Sequence, residues 1–226
     1  MASTDLVVEP TALRAAQVAA ARIGALLRSA ITARGTASVA FSGGHTPVLM
    51  LEALAEQSLP WQHVHVFQVD ERVAPNGDAE RNSTALRGTL LDRVAANAHL
   101  MDVTAVHLGD AAHRYADELR PHEPLDVVHL GMGDDGHTAS WPPGDAVIDE
   151  RDHAVAIVGP YRGMVRMTIT PPVVHRASAV LLLVTGADKA PVLARLMSGD
   201  RSVVAAHVLG ARTVVVADQS AAGTPA

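Results

Sequence analysis

The sequence predicts an α/β fold built on a mainly parallel sheet with helices on both faces. Three observations carry this expectation. Short valine-rich apolar runs of strand length recur along the chain. Segments of helical periodicity separate them. Alanine and valine dominate, while aromatic residues make up only 3% of the 226 residues, a composition suited to helices packed closely on a buried sheet. Apolar runs bounded by turn residues mark strands buried on both faces. Strands alternating with helices imply βαβ units, whose crossovers make neighbouring strands run parallel.

The elements follow in order. The stretch PTALRAAQVAAARIGALLRSAITARG reads as a long amphipathic helix, with Leu13, Ile23, Leu26, Leu27 and Ile31 near helical spacing and Gly35 at its C-terminal cap. Strands are expected at Ala37–Phe41, Val64–Val69, Leu125–Leu130, Val155–Val158, Val180–Val184 and Thr213–Ala217, with a further one at Arg166–Ile169. Helices are expected in PVLMLEALAEQ, RNSTALRGTLLDRV, AAHRYADELRP and ADKAPVLARLM. No internal repeat or linker interrupts this alternation. One domain over residues 1–218 is expected, followed by a loose tail over residues 219–226.

Composition narrows the function classes. No apolar run reaches the ~18–20 residues of a membrane-spanning helix, and MASTDLVVEP lacks the basic-then-apolar pattern of a secretory signal. With no cysteine there is neither a disulfide framework nor thiolate chemistry. A net charge of -6 argues against non-specific nucleic-acid binding while leaving room for a local basic pocket. These readings predict a cytoplasmic protein, a monomer or small homo-oligomer, with a small-molecule partner and neither nucleic acid nor membrane.

In open α/β sheets, ligands bind beyond the carboxyl ends of the strands, so the residues after each strand matter most. After Ala37–Phe41, Ser42, Gly43 and Gly44 form a small loop, with Thr46 as a helix cap and Pro47 at the first helical position. Such a loop offers backbone N–H groups to an anion, although alone it reads equally as a glycine turn. It matches neither the Walker pattern nor G-x-G-x-x-G, so a nucleotide site is not indicated. After Val64–Val69 come Asp70, Glu71 and Arg72, with Arg81, Asn82 and Ser83 downstream. Arginine forks suit phosphate and acids suit hydroxyls; alone, the segment reads more readily as surface salt bridges around a PNGD turn.

After Leu125–Leu130 comes GMGDDGHTASWPPG. Gly131 and Gly133 allow a sharp turn. Asp134, Asp135 and Gly136 then deliver His137, whose imidazole can take a proton from water while a neighbouring Asp holds its tautomer. Alone, this is also a capped helix start with a solvent-facing histidine. Three such loops on successive strands are less easily set aside.

Together FSGGHTP, VDER with RNS, and LGMGDDGHTASWPPG resemble the 6-phosphogluconolactonases, in order and in spacing, from about Val39 to Lys189. YRGMVRMTITPPVVHRA and VTGADKAPVL extend the likeness. The resemblance implies a Rossmann-like three-layer sandwich. It also implies hydrolysis of 6-phosphoglucono-1,5-lactone to 6-phosphogluconate in the oxidative branch of the pentose phosphate pathway, without metal or organic cofactor. His137 would be the general base and Asp135 its support. Ser42, Gly43, Gly44 and Thr46 would lie near substrate, Asp70 on sugar hydroxyls, and Lys189 with one or more of Arg72, Arg81 and Arg166 on phosphate. Trp141, RVAP and His45 depart from the family pattern, and Trp141 would alter sugar packing, since an aromatic face suits the apolar face of a sugar ring.

Two rivals remain. Glucosamine-6-phosphate deaminases share the fold and an Asp-Gly-His motif, but carry an acid shortly after the histidine. Thr138–Pro143 has none. A non-catalytic sugar-phosphate sensor would not need the Asp-Gly-His triplet. Elsewhere, His63 and His65 lack an evident third metal ligand. His129 is expected to be a hydrogen-bonded core residue. The histidines at 99, 107, 113, 122, 153, 175 and 207 show no pattern, and Asp117, Glu118 and Arg120 read as a solvated helix face.

Overall fold

A computed structural model describes residues 4–223. Its strands are β1 (Asp5–Glu9), β2 (Ala37–Phe41), β3 (Val64–Gln68), β4 (Asp70–Arg72), β5 (Asn97–His99), β6 (Val127–Leu130), β7 (Val155–Tyr161), β8 (Met164–Ile169), β9 (Ala179–Val184) and β10 (Thr213–Asp218). Its helices are α1 (Ala12–Arg34), α2 (Thr46–Ala55), α3 (Asn82–Leu86), α4 (Leu108–Leu119), α5 (Pro171–Arg176), α6 (Ala190–Met197) and α7 (Gln219–Ala222). Seven strands form one sheet in the order β1-β10-β9-β6-β2-β3-β5, and every pairing in it is parallel. The expected α/β sandwich is therefore present. Within the described residues, no helix is long and apolar enough to cross a membrane.

Strand alternation divides the core into two layers. Val39 and Phe41, Leu181 and Leu183, and Val216 face α1 and α2. Ala40, Leu182 and Val215 face the opposite layer, which contains α4, α5 and α6. This is the period-two projection of side chains from a sheet. Thr11 caps α1 by accepting from the Arg14 N–H at 3.2 Å, and Gly35 closes it. Its buried stripe is largely alanine: Ala15, Ala16, Ala19, Ala20, Ile23, Leu27 and Ala30. Leu13 and Leu26, included in the expected apolar face, are 50% and 40% exposed. Small side chains bring the helix close to the sheet, so α1 buries alanines where a sequence reading favours leucines.

The second sheet is antiparallel, in the order β4-β8-β7. Val155–Val158 and Arg166–Ile169 were expected as strands; they belong to this smaller sheet. It joins the larger one where the Ile169 N–H donates to the Val69 carbonyl at 2.8 Å. RNSTALRGTLLDRV is not one regular helix, because α3 widens into a π-type turn over Arg87–Leu91. The expected loose tail begins as structure. Gln219–Ala222 form α7, the Asp218 carboxylate accepts from the Ala221 N–H, and Ala221 is buried. Residues 224–226 of that expected tail lie outside the described residues.

Candidate active site

The strand order reverses between β2 and β6, neighbours whose chains then wind toward opposite edges. Such a switch point opens a crevice at the carboxyl ends of the strands. Here it is a cleft of about 430 Å³ between the loops after β2 and β6. Ser42, Gly43, Gly44, Thr46, Asp70, Arg72, His137, Arg166 and Lys189 all line it, and Asp135 stands behind His137. Arg81 alone among the expected residues is turned elsewhere.

His137 is fixed by its own loop. The Gly133 N–H donates to the His137 carbonyl at 2.8 Å, and the Thr138 hydroxyl donates to the Gly131 carbonyl at 2.8 Å. The ring lies directly over Gly133. A Cβ there would stand 2.0 Å from His137 Nδ1, so only glycine permits this placement. Gly133 thus serves close approach, whereas the positive φ of the turn falls at Gly136.

His137 Nδ1 lies 2.6 Å from Asp135 Oδ1, and the His137 N–H donates to the same oxygen at 3.1 Å. The Tyr161 hydroxyl donates to Asp135 Oδ2 and lies 3.0 Å from His137 Nδ1. Burial alone would raise the Asp135 carboxyl, but the bonds from Tyr161 and His137 outweigh it and hold it well below the usual carboxylate range. Tyr161 is pushed up to about 12, by burial first and then by its Asp135 partner. An ionised Asp135 facing Nδ1 makes that nitrogen the donor and leaves Nε2 as a free base. Among the described residues Nε2 has no hydrogen-bond partner.

Part of the lining is cationic. Arg72 and Arg166 are register partners on β4 and β8. Like charges directly opposite one another destabilise a sheet, and the pairing makes physical sense at an anion site. Burial, followed by the charge of Arg72, lowers the pKa of Arg166. Arg166 lies over the Tyr161 ring, 5.2 Å from its centroid. Arg162, not anticipated from the sequence, also lines the cleft and binds Asp134. Lys189 meets Asp188 at 3.0 Å. Its loop is anchored by the Gly186 N–H donating to Asp218 at 3.0 Å.

The glycine loop after β2 is equally confined. A Cβ on Gly43 would lie 1.9 Å from Asn82 Oδ1. Thr46 does not cap α2. His45 holds the cap position without a side-chain bond, and the Thr46 hydroxyl instead lies 3.4 Å from that of Thr185. Ser42 Oγ, Asn82 Oδ1 and Arg72 Nε are buried without hydrogen-bond partners among the described residues. All three residues line the cleft. Buried polar atoms normally find partners, so these are groups suited to a polar guest.

Strand alternation separates Asp70 and Arg72 from Glu71. Asp70 remains at the cleft, accepting from Ser140 Oγ at 2.6 Å and Asn82 Nδ2 at 3.2 Å. Glu71 points inward, is fully buried, and pairs with Arg81 Nε at 3.0 Å. Arg81 also donates to the Ala74 carbonyl and to Asn76. Those contacts make it a structural cation behind the lining.

Other expectations change as well. Trp141 is completely buried and donates to the Ile169 carbonyl at 2.8 Å, so it packs in the core and not on a sugar. His129 is fully buried, but neither ring nitrogen has a hydrogen-bond partner among the described residues. Its strand is enclosed by apolar side chains, including Phe41, and burial pushes its pKa down to about 3. His63 lies in a helical turn before β3. His65 instead gathers with His99 and His122, two residues that show no pattern along the chain.

The model of the glucosamine-6-phosphate isomerases/6-phosphogluconolactonase family matches residues 10–216. The chain belongs to this family. It is 39% identical to a 6-phosphogluconolactonase from Nostoc sp. over 183 residues, covering 76% of each chain. A 6-phosphogluconolactonase structure from Thermotoga maritima superposes with a TM-score of 0.86 at 26% identity, covering 96% of this chain and 99% of that one. A monomeric glucosamine-6-phosphate deaminase superposes with a TM-score of 0.84 at 18% identity, covering 98% and 100%. The fold is thus common to both activities, and the site residues must distinguish them.

Proposed function

We propose that this chain hydrolyses 6-phosphoglucono-1,5-lactone to 6-phosphogluconate, the lactone-opening step of the oxidative pentose phosphate pathway. The observation that carries the reading is a histidine with a carboxylate-fixed tautomer in the same cleft as a pair of register-matched arginines. The pair, with Lys189 and the Ser42–Thr46 loop, suits the substrate's phosphate. Anchoring that end brings the lactone carbonyl to His137.

His137 Nε2 takes a proton from water as its oxygen bonds to C1. Loop N–H groups, or Arg72 where Arg166 and Lys189 hold the phosphate, supply donors to the resulting oxyanion. The bond from C1 to the ring oxygen then breaks, and the imidazolium returns its proton to that oxygen. One water is added overall. Asp135 remains ionised and stabilises the imidazolium, and Tyr161 keeps Asp135 in place. A lactone is already reactive, so general-base help of ~10²–10⁴-fold, together with positioning, is sufficient without a covalent nucleophile.

The sequence after His137, Thr138–Pro143, supplies no carboxylate for deamination chemistry. Reaction in deuterium oxide, followed by NMR, separates the alternatives. Lactone hydrolysis leaves C2 unlabelled. Deuterium incorporation at C2 of a sugar phosphate, or ammonia release from glucosamine 6-phosphate, would replace this reading with the isomerase one.

A further inference from the structure

A second cluster of chemically competent side chains lies away from the cleft. His65 enters β3 near its amino end, His99 closes β5, and His122 sits on the turn after α4. The active-site loops leave the carboxyl ends of β2 and β6, and none of these three histidines lines the cleft between them. His65 Nδ1 and His99 Nε2 are 3.0 Å apart. The His122 ring centroid is 4.0 Å from that of His65 and 5.3 Å from that of His99. One ligating nitrogen from each ring falls within a 4.8 Å set.

We infer that His65, His99 and His122 form a binding site for a divalent transition-metal ion, with zinc the best match. Imidazole nitrogens suit zinc, copper and nickel, whereas calcium and magnesium require oxygen ligands. Zinc binds imidazole nitrogens at about 2.0–2.1 Å, which places tetrahedral ligands about 3.4 Å apart. The His65–His99 separation is already close to that value. His122, on a surface turn, needs only a small side-chain adjustment. Glu118 Oε2 lies 3.4 Å from His99 Nδ1, the far nitrogen of that ring. A carboxylate in this place fixes the tautomer of a metal-bound histidine. Glu118, expected to be part of a plain solvated face, therefore acquires a positioning role.

All three rings are half-buried, so an ion can enter while the Phe67 face beneath His99 excludes water from one side. Three protein ligands leave a fourth position for water. The ion would tie the three-residue strand β5 and the turn after α4 to the central sheet. This role is independent of catalysis at His137 and of the proposed lactone hydrolysis.

The test uses the full chain, stripped with chelator and titrated with ZnCl₂ by calorimetry, with the visible bands of bound Co²⁺ as a second readout. One equivalent should bind, and the melting temperature should rise. His99→Gln and His122→Gln should weaken uptake by more than about 100-fold, and Glu118→Gln by about 10–100-fold, as expected for a residue that orients a ligand. Circular dichroism checks that each variant folds. His137→Asn should retain full uptake. Absence of stoichiometric uptake, or uptake unaffected by His99→Gln and His122→Gln, overturns the assignment. Loss of uptake in His137→Asn alone would move the ion to the cleft and overturn it as well.

Discussion

Replacing Glu71 with glutamine should cost about 3–5 kcal/mol of stability, the range for breaking one side of a buried ion pair. The structure shows why a nearly isosteric change is so costly. Oε1 accepts from the Arg72 N–H at 2.8 Å and the Asn82 N–H at 2.7 Å. Oε2 accepts from Gln68 Nε2 at 2.9 Å and the Ser83 N–H at 2.9 Å, and it faces Arg81 Nε at 3.0 Å. Every partner is a donor. Whichever way a glutamine amide turns, its NH₂ confronts at least two of them. Two unsatisfied buried groups at ~1–3 kcal/mol each give a similar total. Burial alone would raise the Glu71 carboxyl, but bonds from Gln68, Ser83 and Arg81 outweigh it and hold it below the ordinary value. A depressed carboxylate contributes fully above the unfolded-state pKa of about 4.3 and loses that contribution as pH falls through the lower folded value. Urea unfolding of both proteins checks this. The midpoint should fall at unchanged slope, and the difference should be constant near neutrality and shrink in acid. A loss below about 1 kcal/mol at neutral pH would refute the reasoning, because it lies in the range of an exposed pair.

The remaining predictions concern the cleft. Asp135→Asn should lower kcat by ~10²–10⁴-fold with little change in KM, because it removes the tautomer control that makes Nε2 a base; steady-state kinetics on folded protein decide. Gly133→Ala should displace the His137 ring and cost on the order of 10²-fold in activity, the penalty of about a 1 Å misplacement, while circular dichroism shows the fold retained. Arg166→Gln should lower kcat/KM by about 10–100-fold, equivalent to a charged hydrogen bond of ~1.5–3 kcal/mol. The same change should leave thermal stability intact or improved, since it relieves the repulsion with Arg72.

The central strands and the loop that carries His137 were legible because their signals are local. Buried parallel strands read as apolar runs, and the loop's glycines and acids adjoin its histidine in the chain. β1, β5 and β4 were not legible. β1 and β5 lie on the sheet edges, β4 and β5 are three residues each, and all three carry polar residues. Their pairing is imposed by neighbours and not by composition. The same limit applies to side-chain roles. Asp70, Glu71 and Arg72 look alike as a charged triplet, but β alternation sends Glu71 inward to Arg81 and leaves its neighbours at the cleft. Tyr161 and Arg162 reach His137 and Asp134 from a turn more than twenty residues away. The three clustered histidines come from separate elements. Such juxtapositions depend on topology, which no spacing rule encodes. Trp141 was misplaced because a large aromatic beside the Asp-Gly-His segment suits a sugar and a core equally well.

The most direct measurement of the central claim is lactone hydrolysis itself. 6-Phosphogluconolactone is generated in situ by a dehydrogenase, and its disappearance is followed with wild-type protein, with His137→Ala and with neither. The account predicts acceleration by the wild type and a fall of ~10²–10⁴-fold in the variant. Full activity in His137→Ala would contradict the assigned base, and no acceleration by folded wild-type protein would contradict the proposed function.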